Sequence, residues 1–216
     1  MLTQLKDISP YNALSDDELE SFFSRAVVRK FRKGTIVIFQ GDDTDSLYIV
    51  REGEMKVYVE DESGKELTVR ILREGDTFGE LALLGGFPRS ANVIAMTDGS
   101  AFVISKSSYL DCLKNNPQIS ISLIQSLANM VRETTGELSN IALSDVYGRL
   151  VHVLEKYAFD HQQTRLVPKF THREIASMIG SSREMVSKIL KDLEKGGYLS
   201  VSGKHYQLNR QLPAKW

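Results

Sequence analysis

Ile124, Leu127, Val131, Thr134, Leu138 and Ile141 follow one another at intervals of 3, 4, 3, 4 and 3 residues. That is the period of one helix keeping a single stripe on one side through about three heptads. The helix it predicts, from about Asn116 to Ala142, divides the 216-residue chain, so what lies before and after it must each bury a core of its own. The stripe has two readings: it pairs with a second copy of the chain as a short coiled coil, or it packs along its own domain. Thr134, followed by Thr135, is polar where leucine would pack best. A polar residue there costs stability, so it should have a use, in setting register or in touching something polar between helices.

Ahead of this helix the chain reads as β. Within residues 34–104, "TIVIF", "SLYIV", "MKVYVE", "LTVRIL" and "SAFVIS" are short runs rich in Val, Ile and Tyr, punctuated by glycines at 34, 41, 53, 64, 75, 79 and 99. "DESGKE" supplies a hairpin loop between two of them. Met55, Val57 and Val59 alternate with Lys56, Tyr58 and Glu60, which predicts a strand burying the first three on one face. Many short antiparallel strands with frequent turns argue for a small barrel or sandwich. A short helix precedes them, opened by the S-x-x-E capping box of Ser15 and Glu18.

Beyond the long helix, Ser144-Asp145 reads as an N-cap that breaks it and starts another through "VYGRLVHVLEKYAF". "THREIASMIG" carries Thr171 and Glu174 as a capping box and Gly180 as the stop. "SSREMVSKILKDLEKGG" opens a further helix at once, with Ser181 and Glu184 as a second box. Two short helices and a tight turn make a helix-turn-helix, and "YLSVSGKHYQL" adds two strands about Gly203 as a wing. The class expected is α+β, with an N-terminal domain over residues 1–115, a dimerisation helix over 116–143 and a winged helix-turn-helix over 144–216.

Charge is divided along the chain. Residues 165–216 carry ten Lys or Arg against four Asp or Glu, while residues 1–164 carry 17 against 24. A basic end on an acidic body suits a polyanionic partner, although a solvated lysine-rich surface would look the same. The single cysteine, Cys112, excludes an internal disulfide and a cysteine-ligated iron–sulfur cluster, and the four histidines fall at no metal-ligand spacing. No apolar run approaches the ~20 residues of a membrane span, and the N-terminal stretch is too acidic and broken for a signal peptide. A cytoplasmic protein without a structural metal is the expectation. An enzyme is not: there is no nucleophile–base pairing, and "GGFPRS" lacks the lysine of a phosphate-binding loop.

Two stretches carry chemistry. "GELALLGGFPRSANV", residues 79–93, holds Glu80 and Arg89 in one short segment with glycines at 79, 85 and 86. A guanidinium offers charge-assisted bonds to a phosphate, a carboxylate accepts from a sugar hydroxyl, and glycines let the backbone turn closely about both. Alone, such a pair is more commonly a salt bridge at a turn. In "SSREMVSKILKDLE", Ser182, Arg183 and Glu184 open a helix, and Lys188 follows one turn on. Arg bonds guanine O6 and N7, and Glu accepts from cytosine N4, as on a helix entering the major groove. Glu184 has a second reading as a cap for its own helix. Ser182 and Arg173, near Thr171, suit phosphates, and Lys188 either phosphate or base.

Together these segments resemble the cAMP receptor protein/fumarate-nitrate regulator family of bacterial transcription factors, over nearly the whole chain. "FGELALLGGFPRSANV" is similar to the phosphate-binding cassette of cyclic-nucleotide domains, "IALSDVYGRL" resembles the family's hinge, and "SSREMVSKILKDLE" its recognition helix. The resemblance implies an antiparallel β-roll (a double-stranded β-helix, jelly-roll-like) as the N-terminal domain. It implies that Gly79, Glu80 and Leu81 with Arg89 and Ser90 form an effector site, Glu80 meeting the ribose and Arg89 with Ser90 the phosphate. Thr134 and Thr135 fall where the cAMP receptor's paired helices touch adenine. Arg183 and Glu184 match base-reading positions, and Lys188 stands where that receptor has an arginine, so the target may differ at that base pair. A homodimer binding cAMP and then promoter double-stranded DNA, and meeting RNA polymerase, is what the resemblance implies. Cyclic di-GMP, cGMP or no effector are alternatives within the fold. A nucleotide-binding regulatory subunit whose winged helix binds protein is the more distant one.

Overall fold

A computed structural model describes residue 11, residues 15–162 and residues 164–213. It divides into two compact units: the chain to Val59 with Val69–Glu133, and Glu60–Thr68 with the chain from Thr134 onward. Along the sequence the elements are α1 (Asp16–Ser24), β1 (Val27–Phe31), β2 (Ile36–Ile38), β3 (Leu47–Glu52), β4 (Met55–Glu60), β5 (Glu66–Leu72) and β6 (Thr77–Phe78). There follow α2 (Glu80–Gly85), β7 (Asn92–Ala95), β8 (Gly99–Ile104), α3 (Lys106–Asn115) and α4 (Pro117–Leu143). The remainder is α5 (Val146–Lys156), β9 (Phe159–His161), β10 (Thr164–Pro168), α6 (His172–Ile179), α7 (Arg183–Lys195), β11 (Leu199–Ser202) and β12 (His205–Leu208).

Two four-stranded sheets, ordered β1-β8-β3-β6 and β2-β7-β4-β5, make the β-roll. Phe31, Tyr48, Val50, Phe78 and Ala101 of the first pack with Ile38, Met55, Leu72, Val93 and Ala95 of the second. The other face of β3 is also covered: Leu47 and Ile49 sit in a second cluster with Phe22 and Phe23 of α1, Leu83 of α2, Tyr109 of α3 and Ile119 of α4. Burial on both faces is why "SLYIV" reads as an unbroken apolar run. This cluster fixes the cassette helix α2 and the start of the long helix against the same sheet.

The strand β4 departs from its expected alternation. Met55 and Tyr58 are buried, while Val57 and Val59 are only half-buried. Lys56, on the face of Tyr58, places Nζ 4.5 Å from the Tyr58 ring centroid and covers it, so an outward tyrosine is shielded by its neighbour's alkyl chain. The β region also starts earlier than residue 34, with β1.

The Ser15–Glu18 capping box is formed in full. After α4, Asp145 is the N-cap of α5 and accepts from Gly148 N at 2.7 Å. Arg149, one turn further, donates from Nε to Ile179 O at 2.8 Å and from Nη1 to Ser144 O at 2.9 Å. One guanidinium thus satisfies carbonyls left open at the ends of two helices. Tyr147, Leu150 and Leu154 of α5, with Ile175, Ile179, Val186, Ile189, Leu190 and Leu193, form the core of the C-terminal unit. Its sheet has four strands, β11-β12-β10-β9, two more than the wing read from sequence.

Candidate functional site

The segment from Gly79 to Ser90 folds as a turn, the short helix α2 and a return. Gly79 adopts φ +85°, and a Cβ there would lie 2.6 Å from Arg89 Nη1 and 2.9 Å from Ser46 O. Only glycine lets the chain pass this close over the guanidinium. Gly86, at φ +67°, closes α2 by donating its N–H to Ala82 O. Glu80 and Arg89 are both buried, 7% and 3% exposed, whereas Leu81 and Ser90 are exposed.

Buried charges need partners. Arg89 donates from Nε to Thr44 Oγ1 at 2.9 Å, from Nη1 to Gly79 O at 2.8 Å and from Nη2 to Ser46 O at 2.7 Å. Among the described residues three of its five N–H donors are thereby spent, and two remain. Burial disfavours the charge, and the carboxylates of Asp45, Glu80 and Asp42 act against that. Glu80 Oε2 has no hydrogen-bond partner among the described residues. The two groups are therefore neighbours held separately, and the simple salt bridge at a turn is not what this loop builds.

Beside Glu80 lies a cavity of about 110 Å³, lined by Arg70, Thr77, Glu80 and Tyr109 and, from α4, by Ser126 and Met130. Arg70 is held to Asp76 Oδ1 at 2.7 Å. Burial pushes the Glu80 carboxyl above its ordinary 4.5, against the pull of Arg70 and Arg89. The folded chain then binds this proton more tightly than the unfolded chain, so ionised Glu80 subtracts stability above its folded pKa and subtracts nothing below about 4.5. Glu80→Gln is expected to melt at higher temperature than the parent near neutral pH, without effector, with the gain closing as pH falls toward about 4.5. Thermal melts across that range check it.

Thr134 and Thr135 follow Met130 by one turn on α4 and are exposed, with Thr135 O accepting from Ser139 Oγ at 2.9 Å. The stripe they interrupt is exposed as well: Ile124 is 64%, Val131 66% and Leu138 65% exposed in the single chain. These three side chains, one heptad apart, form an exposed apolar row along one side of α4.

In the C-terminal unit the Thr171–Glu174 box is complete, and Gly180 stops α6 at φ +60°. The second predicted box is not formed. Ser182, not Ser181, is the N-cap of α7, accepting from Met185 N at 3.2 Å, which moves Glu184 out of the position from which it would reach back. Ser181 instead donates its N–H to Ala176 O, being drawn into the turn after α6. Val186, Ile189, Leu190 and Leu193 face the core. Thr171, Arg173, Ser182, Arg183, Glu184 and Lys188 are all exposed.

Several residues at these places went unread in the sequence. Lys191, exposed seven positions after Glu184, shares its face of α7, and the i, i+4, i+7 spacing would have found it. His172 Nδ1 and Ser187 Oγ, 2.6 Å apart, share a hydrogen bond that ties α6 to α7. Arg70, Tyr109 and Ser126 reach the cavity only through the fold, with no local signal.

Comparison with known proteins agrees in both halves. Residues 28–116 match the model of the cyclic nucleotide-binding domain, and residues 148–211 that of the Crp-like helix-turn-helix domain. The chain is 34% identical to the cAMP-activated global transcriptional regulator CRP of Salmonella typhimurium, over 88% of this chain and 93% of that protein. It is 30% identical to the cAMP-activated global transcriptional regulator Vfr of Pseudomonas aeruginosa, over 86% and 91%. Among solved structures, the c-di-GMP responsive global regulator CLP of Xanthomonas campestris has a TM-score of 0.79 at 25% identity, over 91% of this chain and 100% of that one. The Thermus thermophilus catabolite activator protein has a TM-score of 0.56 at 26% identity, over 91% of each. These relatives are regulators, not enzymes, and no helix among the described residues is long and apolar enough to cross a membrane. The chain belongs to the CRP/FNR family of transcription regulators, as a cyclic-nucleotide-binding member with a DNA-binding helix-turn-helix.

Proposed function

We propose that the protein is a cytoplasmic homodimer that binds cAMP and, in response, binds promoter DNA and acts on transcription with RNA polymerase, as activator or repressor according to promoter geometry. Residues 1–115 form the effector domain, 116–143 the dimerisation helix and 144–216 the DNA-binding domain. The observation that carries this reading is the buried Arg89 on its glycine turn, with two N–H donors left over among the described residues, in the same segment as Glu80, which lines a polar cavity. A cyclic phosphate monoanion is the ligand chemistry such a group serves. Glu80 accepts from the ribose hydroxyl, Gly79 and Leu81 shape the turn, Ser90 adds a bond to the phosphate, and Thr134 and Thr135 meet the base. The two CRP and Vfr relatives, both cAMP-activated, support this choice of nucleotide.

Cyclic di-GMP is a second reading, favoured by the likeness to the c-di-GMP responsive regulator and by Arg70, whose guanidinium lines the cavity. Calorimetric titration of the dimer with cAMP, cGMP and cyclic di-GMP in parallel decides between them. Heat with cAMP alone supports the first reading. Heat with the dinucleotide alone keeps the fold and removes the roles of Thr134 and Thr135.

At the other end, Arg183 and Glu184 read bases, Lys188 reads base or phosphate, and Thr171, Arg173 and Ser182 grip phosphates. Glu184 lies outside any capping box, so Glu184→Ala is expected to cost under about 1 kcal/mol of stability. The same change should remove about 1–3 kcal/mol of discrimination at one base pair per half-site, measured by competition binding with single-site operator variants. A fall in melting temperature with specificity unchanged would overturn the assignment.

A further inference from the structure

Two buried polar atoms meet the same cavity without a hydrogen-bond partner among the described residues: Glu80 Oε2 and the Tyr109 hydroxyl. Tyr109 is fully buried, with its ring against Phe22 at a centroid distance of 6.4 Å. A phenylalanine would fill that core equally well. A buried hydroxyl left unmet costs stability, so one kept in such a place calls for a partner that arrives from elsewhere.

We propose that Tyr109 is an effector-contacting residue, acting with Glu80 as a donor–acceptor pair that reads the 2′-hydroxyl of the nucleotide. The inference rests on the cyclic-nucleotide reading of the cavity and specifies it. In a 3′,5′-cyclic nucleotide the ring closure consumes the other sugar oxygens, so the 2′-hydroxyl is the one free hydroxyl on the ribose. A hydroxyl both donates and accepts. The Glu80 carboxylate is an acceptor only, and the Tyr109 phenol supplies the donor that completes the match. Burial pushes the phenol well above its ordinary range, and the neighbouring Glu80 carboxylate adds to the shift, so Tyr109 keeps its proton and remains a donor. The other charged groups at the cavity, Arg70 and Asp76, are joined to each other at 2.7 Å. Thr77 Oγ1 is bonded to the Tyr11 hydroxyl at 3.2 Å. The hydroxyl of Ser126, across the cavity on α4, is left to other parts of the ligand.

A site that pairs both ends of a hydroxyl rejects the analogue lacking it far more strongly than an apolar pocket rejects a missing methylene, because two buried groups are left unpaired. The experiment is titration calorimetry of the full-length dimer and of Tyr109→Phe with cAMP and with 2′-deoxy-cAMP, with melting temperatures of both proteins as the folding control. The parent should prefer cAMP over the deoxy analogue by at least ~100-fold. Tyr109→Phe should bind cAMP about 10-fold more weakly and the deoxy analogue unchanged, so the preference shrinks by the same factor. A parent that binds cAMP while Tyr109→Phe keeps the full preference overturns the role of Tyr109 and spares the proposed function. A parent that binds both nucleotides alike overturns the hydroxyl-reading pair. Silence of the parent with cAMP overturns the proposed function itself, and this inference with it.

Discussion

Replacing Arg89 by leucine is expected to abolish effector binding and to loosen the β-roll at the same time. The guanidinium is not held in reserve for the ligand. It already joins Thr44, Ser46 and Gly79, three points on two separated segments, at 2.7–2.9 Å. Leucine removes the donors of two backbone carbonyls, at about 1–3 kcal/mol for each one left unmet in the interior. Part of that returns through the packing of the new side chain, so a net loss of about 2–4 kcal/mol is expected. For a chain of this length, that lowers the melting temperature by roughly 5–15 °C. Loss of two charge-assisted bonds to the phosphate, each worth about 1.5–3 kcal/mol, weakens the effector by 10²-fold or more. The variant therefore confounds two effects, and Arg89→Lys separates them. Lysine keeps the charge but lacks the planar fork that reaches three acceptors and a phosphate together. Melting curves and calorimetry on both variants check this. Effector binding that survives in a destabilised Arg89→Leu would make the arginine a structural strut and nothing more.

The setting of Arg89 also shows where a sequence stops being legible. Capping boxes at Ser15–Glu18 and Thr171–Glu174 were legible because all their atoms lie within four residues. The stripe on α4 was legible because a helix with one apolar side repeats it at a fixed period, and β3 and β8 because burial on both faces leaves short unbroken apolar runs. By contrast, Thr44 and Ser46 lie 45 and 43 residues from Arg89, and no local pattern announces such a contact. Glu80 and Arg89 could be picked out as a pair, but that they are held apart, each in its own setting, is a product of the fold. The strands β1 and β9 escaped because they are almost wholly exposed, so no alternation marks them. The second capping box failed for a different reason. "SS" offers two serines in succession, and the turn after Gly180 takes up the first, leaving Ser182 to cap.

Changing Ile124 and Leu138 together to glutamate is expected to convert the protein to a monomer that is folded but binds operator poorly. Both side chains are about two-thirds exposed in the single chain, so their replacement removes little that holds one subunit together. In a pair of helices the same positions lie at the seam, where each fully buried aliphatic side chain contributes about 1.5–3 kcal/mol. Carboxylates facing one another there replace that gain with repulsion and desolvation. Sedimentation velocity should show the mass of one chain, with far-UV circular dichroism unchanged. Two half-sites then have to be bound as independent events, without the millimolar effective concentration a dimer supplies, and operator affinity should fall by about 10²–10⁴-fold. Thr134→Leu is the complementary change: it completes the apolar stripe and should tighten the dimer while weakening the effector, if the threonine's use is to meet the nucleotide base. A glutamate pair that left the dimer intact would move the interface elsewhere. The exposed Leu81, Leu84 and Phe87 of the cassette are then the next apolar surface to test.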